Sequence, residues 1–482
     1  MSALRGLDRG VPVPLQMPIL LLAGGIALTA GTAAGLAPVP ALAGGFAAAV
    51  LCAVAIRPSL AAYILLGTTP LLVGIDRGRA LPVLRPSEAV ALLLAAALAL
   101  RFVITRRVSS HARGAVGLTR IDAAIILLAV TSSVLPLTWM AVRGRSITHE
   151  DILYALVLWK FYGIFLIVRF SVRTNRQVSR SLVIILAASA LAGCIGILQS
   201  LGVGGVSGLL DRYYSPLGQG VLTSGRASST LGSSFSVADV MTYCLAIATA
   251  WLLQGGRHRV VLYALSVVCV LATVASGEFS ALIGLAVAAF SVGFVLRRFG
   301  RTLLGAAIGA VGAIIVLQPV IQARLAGLDP NSGLPASWAD RLSNLRTFFW
   351  PQLRGDYNWL TGVRPTAQLP DPSLRLGFVW IESGHTWLLW TGGVAMLIAF
   401  FVFLGVAIPA VARVARRRSD AVGVAAVGSF TSLLVMAVLM TFDPHLTLRG
   451  GADLSFSLLA LALVDQHLST DRRVAGRPQK PG

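Results

Sequence analysis

"ESGHTWLLWTGGVAMLIAFFVFLGVAIPAVA", residues 382–412, decides the fold. A carboxylate, Glu382, and an imidazole, His385, stand at its mouth. Behind them the chain stays apolar for longer than the roughly 20 residues that carry a helix across a bilayer. Similar runs recur along the whole chain. Of its 482 residues 56% are hydrophobic and 12% charged, whereas a soluble domain carries about 25% charged residues. The runs are continuous, not the short alternating segments of a β-barrel. They define an all-α, polytopic integral membrane protein. About fourteen spans are expected, near 17–35, 39–56, 60–75, 87–105, 121–140, 152–169, 181–201, 236–254, 259–276, 280–296, 302–320, 384–412, 422–442 and 450–465.

The net charge of +21 suggests nucleic acid until its distribution is followed. Arginines gather in short loops between apolar runs, as at Arg106 and Arg107, Arg173 and Arg176, Arg297 and Arg298, and Arg416 to Arg418. That is the positive-inside pattern of a membrane protein with both termini cytoplasmic, and it leaves no nucleic-acid face. It divides the chain into a cytoplasmic N-terminus (1–16), spans one to eleven (17–320), a large extracytoplasmic loop (321–383), three last spans (384–465) and a cytoplasmic tail (466–482). The first span reads as an uncleaved anchor, longer than a signal core. Cys52, Cys194, Cys244 and Cys269 lie in or beside apolar runs without metal-ligand spacing, so they read as small packed side chains.

Two expected outer loops stand out, 202–235 and 321–383. The second is too aromatic for a plain linker, and a loop that long is usually functional. In it "SWADRLSNLRTFFWPQL" has helical spacing, with Ser337 or Asp340 as N-cap and Pro351 as terminator. Arg341 and Arg346 are five apart and fall on different faces. Trp338, Trp350, Tyr357 and Trp359 offer either sugar-facing surfaces or interface anchors. "GVGGVSG" at 202–208 lacks the strand and Gly-Lys-Ser/Thr of a phosphate loop and reads as a flexible loop start. Glu150 and Asp151 are adjacent on a helix and do not face each other, so they read as an N-terminal charge pair. No metal site is expected.

Lys160 lies mid-span in "LVLWKFYGIF", where an ionisable group marks either a functional site or a structural pair. In "TSGRASSTLGSSFSVADV", Arg226 is surrounded by Ser228, Ser229, Thr230, Ser233 and Ser234. A guanidinium among hydroxyls suits an oxyanion, or a lipid headgroup. "DPHLTLRGG", residues 443–451, puts an aspartate, a histidine and Arg449 into the turn before the last span. Glu382 and His385 share a helix face, one turn apart. The positive helix end favours ionised Glu382 and neutral His385, and either then accepts a proton near neutrality. Glu382 or Ser383 acting only as a helix cap accounts for the stretch equally well.

In order, these stretches resemble the O-antigen ligase and O-antigen polymerase superfamily of bacterial membrane glycosyltransferases, over roughly residues 120–465. "ESGHTWLLWTGGVAML" is similar to the family's acid-or-histidine helix start with its glycine end at Gly392 and Gly393. "GRASSTLGSSFSVADV" resembles its Arg-Ala-Ser segment, and "DRLSNLRTFFWPQLRGDYNWLTGV" its amphipathic helix. Ligases commonly show histidine where this chain has Glu382, and a Ser-Arg pair is replaced by "ASGEFSAL" with Glu278. These departures lean toward a polymerase. The resemblance implies metal-independent, inverting transfer of a glycan from a polyprenyl-diphosphate carrier to an acceptor hydroxyl, outside the cytoplasmic membrane. It implies Glu382 or His385 as base and Arg226, Arg341, Arg364 and Arg449 on the diphosphate, with no cofactor. Partners would be the lipid-linked oligosaccharide, the glycan acceptor, membrane lipids, and polysaccharide export or chain-length proteins. Ligation to another acceptor, a lipid-linked glycan flippase and a purely structural partner are the alternatives.

Overall fold

A computed structural model describes residues 38–464 apart from 80, 82, 109–117, 215–224, 257, 327–335 and 372–376. The expected first span at 17–35 and both terminal segments lie outside what is described, and Ser337 and Asp340, expected as N-caps, lie inside the helix Ala336–Asn344 because that helix starts earlier. The helices are Pro38–Ile56 (α1), Ser59–Leu72 (α2), Pro86–Val108 (α3), Arg120–Val142 (α4), His149–Ala155 (α5), Val157–Ser171 (α6), Asn175–Ser200 (α7), Val206–Tyr214 (α8), Ser234–Leu253 (α9), Arg259–Ala275 (α10), Phe279–Leu296 (α11) and Phe299–Val316 (α12). Gln318–Leu325 (α13), Ala336–Asn344 (α14), Trp350–Arg354 (α15) and Asn358–Thr361 (α16) belong to the large loop, and Gly384–Arg417 (α17), Ala421–Leu439 (α18) and Gly451–Ala462 (α19) close the chain. Among the described residues nine helical stretches are long and apolar enough to cross a membrane, with α5 and α6 forming one of them. The helices α2, α10 and α19 are shorter, at 14, 17 and 12 residues. The chain has the architecture of a multi-pass membrane protein.

The centre of the bundle is α18, 83% buried along its apolar window, packed by α9, α11, α17 and α19. At the rim α12 is only 11% buried. Its exposed Leu304, Ile308 and Ile315 suit a lipid-facing surface. The polar pairs sort to the two ends. At one end Arg449 meets Asp76, Asp151 meets Arg364, and Arg341 meets Asp443. At the other Arg169 meets Asp122, and Asn175 caps the α18 start at Val422. Each of these pairs joins segments that alternating spans put on the same side.

The large loop is not a free loop. Its Phe378–Trp380 strand (β2) pairs antiparallel with Gln368–Pro370 (β1), Leu369 opposite Val379, and this ribbon delivers the chain to Glu382. The amphipathic segment does not stop at Pro351. A π-turn over Leu345–Phe349 links α14 to α15, and Pro351 sits in the first turn of α15, where its missing N–H costs nothing. The wider turn keeps a spacing of four in register, so Leu345, Phe349 and Leu353 are all buried on the face that also carries Arg341. Phe349 packs edge-on against Trp390 of α17, centroids 5.2 Å apart. Arg346, as its offset implies, is exposed.

The glycine pair of the quoted stretch breaks α17. Gly392 has φ −136° and Gly393 φ +62°, so the helix stops after Thr391 and restarts at Val394. Two segments press into the break. A Cβ on Gly392 would lie 2.2 Å from the Thr131 carbonyl oxygen of α4, and one on Gly393 would lie 2.2 Å from that of Leu360. In a low-dielectric bundle a freed backbone group must find a protein partner. The Val363 N–H donates to the Trp390 carbonyl at 2.6 Å. Gly393→Ala is therefore expected to destabilise the protein by about 1–3 kcal/mol or more from backbone strain, whereas Gly405→Ala, in open space on the same helix, should be neutral or stabilising by about 0.5–1 kcal/mol. Thermal unfolding of the two variants in detergent checks the contrast.

Candidate functional site

Ser383 is the N-cap of α17. Its hydroxyl accepts the Thr386 N–H at 3.3 Å. Glu382 is thereby released from capping and lies one residue outside the helix, its side chain 30% exposed. Arg341 approaches it with Nε 3.5 Å from Oε1, while its Nη1 donates to Asp443 Oδ2 at 2.8 Å. The Nε contact is electrostatic only, since that buried N–H has no hydrogen-bond acceptor. The Arg341 guanidinium also lies over the Phe235 ring, 5.6 Å from its centroid. Burial works against the Arg341 charge, but Asp443, Glu382 and the nearby Glu278 outweigh it and raise its affinity for the proton. Burial pushes the Glu382 carboxyl above the ordinary carboxylate range. Arg341 and the Asn344 amide pull it back, while Asp443 and Asp340 add to the rise.

Arg226 reaches the same region from the segment before α9. Its Nη1 donates to Glu278 Oε1 at 3.0 Å, and the same oxygen accepts the Ser234 hydroxyl at 2.6 Å. The remaining hydroxyls around Arg226, expected to help hold an oxyanion, are occupied by structure. Ser228 is bonded to Gln199, Ser229 to the Ala192 carbonyl and Thr230 to the Pro70 carbonyl, and Ser233 caps α9. They fix the loop, and Arg226 alone offers it charge.

Behind Arg341 lies a pair that the sequence reading passed over. His445 Nδ1 is 2.8 Å from Asp239 Oδ2, and both side chains are 1% exposed. His445 Nε2 and Asp239 Oδ1 have no hydrogen-bond partner among the described residues. Gly451 leaves room for the carboxylate, since a Cβ there would stand 2.9 Å from Asp239 Oδ2. The His445 N–H bonds the Asp443 carbonyl at 2.8 Å, so the pair pins the turn that presents Asp443 to Arg341. One signal for it was in the sequence: Asp239 is a lone acid inside an apolar span, a costly position that demands a partner.

The other candidates lie elsewhere. Arg364 makes a two-pronged pair with Asp151, at 3.0 and 2.6 Å. Asp151 is also the reciprocal cap of α5 with Thr148, as its position at a helix start implied. Arg449 pairs with Asp76 at 2.7 Å, and Lys160 pairs with Asp453 at 3.3 Å, over the Phe161 ring. His385 donates its backbone N–H to the Met440 carbonyl, and its ring makes no ion pair among the described residues. Trp338 packs on Phe442 and Trp350 bonds Thr386, while Tyr357 and Trp359 are 72% and 46% exposed.

Fold and site together define a multi-pass helical membrane protein with a partly buried, ion-paired centre at one end of its bundle. No family model, curated protein or solved structure matches the chain.

Burial alone would push the His445 imidazole down, but Asp239 outweighs it, helped by Asp443 and Glu278, and the ring titrates above the usual histidine value. A proton held more tightly in the folded state stabilises it below the unfolded value near pH 6.5 and ceases to as pH rises through the folded one. His445→Gln should therefore lower Tm most below pH 6.5, and the gap from wild type should narrow at higher pH. Asp239→Ala, which leaves the buried His445 Nδ1 without its partner, is expected to cost about 1–3 kcal/mol.

Proposed function

We propose that the protein is a metal-independent glycosyltransferase acting on polyprenyl-diphosphate-linked glycans at the outer face of the bacterial cytoplasmic membrane. Its most fitting activity is polymerisation of O-antigen, exopolysaccharide or capsule repeat units. The observation that carries this reading is the meeting of Arg341, Glu382 and Asp443, with Arg226 and Glu278 beside them. They come from four loops far apart in sequence. In this reading the chain crosses the membrane about fourteen times with both termini cytoplasmic, and the Glu382 end faces outward.

The chemistry is a single displacement. The acceptor hydroxyl oxygen bonds to the anomeric carbon, the bond from that carbon to the diphosphate oxygen breaks, and the configuration inverts. Glu382 takes the hydroxyl proton, and the raised proton affinity of its carboxyl suits that role. Arg226 and Arg341 neutralise the charge that develops on the departing diphosphate. Asp443 orients Arg341, and the Asp239–His445 pair holds Asp443. The polyprenyl tail lies between helices, and chain-length or export proteins are the expected partners.

Purified protein supplied with a synthetic polyprenyl-diphosphate repeat unit tests the reading. A ladder of products identifies a polymerase. A single shift that requires a second acceptor identifies a ligase, and the absence of any transfer overturns the proposal. Loss of a general base lowers rates by about 10²–10⁴-fold, so Glu382→Gln is expected to do so while melting like wild type. Arg226→Ala should also abolish product; wild-type rates in both variants would remove the site assignment.

A further inference from the structure

A second charged cluster lies at the same end of the bundle, built by the loop between α2 and α3, the first turn of α3, α6 and the start of α19. Glu88 Oε1 accepts from Arg77 Nη2 at 2.9 Å and from Arg85 Nη1 at 3.2 Å. Asp76 Oδ1 is shared in the same way, 2.7 Å from Arg449 Nη1 and 3.5 Å from Arg85 Nε. Lys160, held by Asp453, is near enough to act electrostatically on Glu88, Arg85 and Arg449. Four cations thus meet three carboxylates, Asp76 serves two arginines through one oxygen, and Glu88 is divided between Arg77, which reaches both its oxygens, and Arg85. Asp453 is partly occupied as well, because its other oxygen accepts the Gly450 N–H at 2.8 Å.

The crowding falls on Arg85, whose side chain is 15% exposed and whose buried Nε has no hydrogen-bond acceptor. Burial, and then the neighbouring Arg449 and Arg77, push its proton affinity down to about 10. With four cations to three carboxylates, the cluster around it keeps a net positive charge. Arg77 and Arg449 are 24% and 37% exposed, so the cluster is open to the surface on that side. Among the described residues no ion pair links it to Arg341, Glu382 or Arg226.

We propose that Arg77, Arg85, Arg449 and Lys160 form a second anion site, which takes a phosphate-type oxyanion. Converging guanidinium forks bind tetrahedral oxyanions through paired, charge-assisted hydrogen bonds, and an ammonium adds a point charge. The missing negative charge comes either from a free diphosphate or from the phosphate of a lipid headgroup. The site accounts for Arg449 and Lys160 together, and it stands whether or not the Glu382 centre transfers glycans.

The test uses the full chain in phosphatidylcholine nanodiscs, with Tm followed as inorganic pyrophosphate is added. A parallel series replaces part of the phosphatidylcholine with phosphatidic acid. A saturable rise in Tm is expected in at least one series. Pyrophosphate alone identifies a free anion, phosphatidic acid alone a lipid phosphate, and a response to both the shared chemistry; each supports the site. A hydrogen bond to a charged group contributes about 1.5–3 kcal/mol, or roughly tenfold or more in affinity. Arg449→Gln and Arg77→Gln, on the open side, should each weaken the response by that factor. Arg85→Gln should abolish it; if that variant does not fold, the two exposed positions decide. No rise in either series, or an unchanged response in Arg449→Gln and Arg77→Gln, overturns the proposal.

Discussion

A guanidinium withdrawn from water needs carboxylates close by, and Arg341 obtains them from two segments far apart in sequence. Its side chain is 14% exposed, bonded to Asp443 and close to Glu382. Desolvating a charge costs several kcal/mol unless such partners are present. This pairing allows the apolar face of α14 and α15 to close on the bundle with a charge in it. Leu345, Phe349 and Leu353 supply the burial, and Arg341 fixes where along α17 that face settles. The same constraint leaves Glu382 partly desolvated beside a cation, which tunes a carboxyl without locking it into a bidentate pair.

The other end of the loop is held by backbone. The break at Gly392 and Gly393 strands the Trp390 carbonyl, and Val363 satisfies it. Irregular backbone among membrane-crossing helices is tolerated only where protein encloses it, and here α4 and α16 do so. The half-helix ahead of the break is short and capped by Ser383. It therefore holds Glu382 at a fixed height over the bundle. Loop, break and cap form one unit, with the charged centre at its upper edge.

Much of this was legible in the sequence. Apolar run length located the helices, because a membrane demands it, and even the short runs at 60–75 and 259–276 became α2 and α10. Asp151 was recognisable as a helix-start charge from its neighbours alone. What could not be read was pairing at long range. Arg364 looked equivalent to Arg341, yet its partner Asp151 lies 213 positions away. Asp239 and His445 are 206 positions apart, and nothing local marks them as a pair. The hydroxyls near Arg226 looked like ligands because composition does not reveal which backbone carbonyl each will meet. Ser383 and Glu382 were both able to cap; only the N–H of Thr386 decides between them.

The central proposal is that Glu382 accepts a proton with an affinity raised by burial and adjusted by Arg341 and Asp443. The acid limb of the pH profile of kcat/KM for glycan transfer measures that affinity in the free enzyme. In the wild type the limb should lie above pH 4.5, the ordinary glutamate value. Arg341→Gln removes the cation that favours the carboxylate and should move the limb to higher pH, whereas Asp443→Asn removes a like charge and should move it lower. A limb that stays in place in both variants contradicts the account.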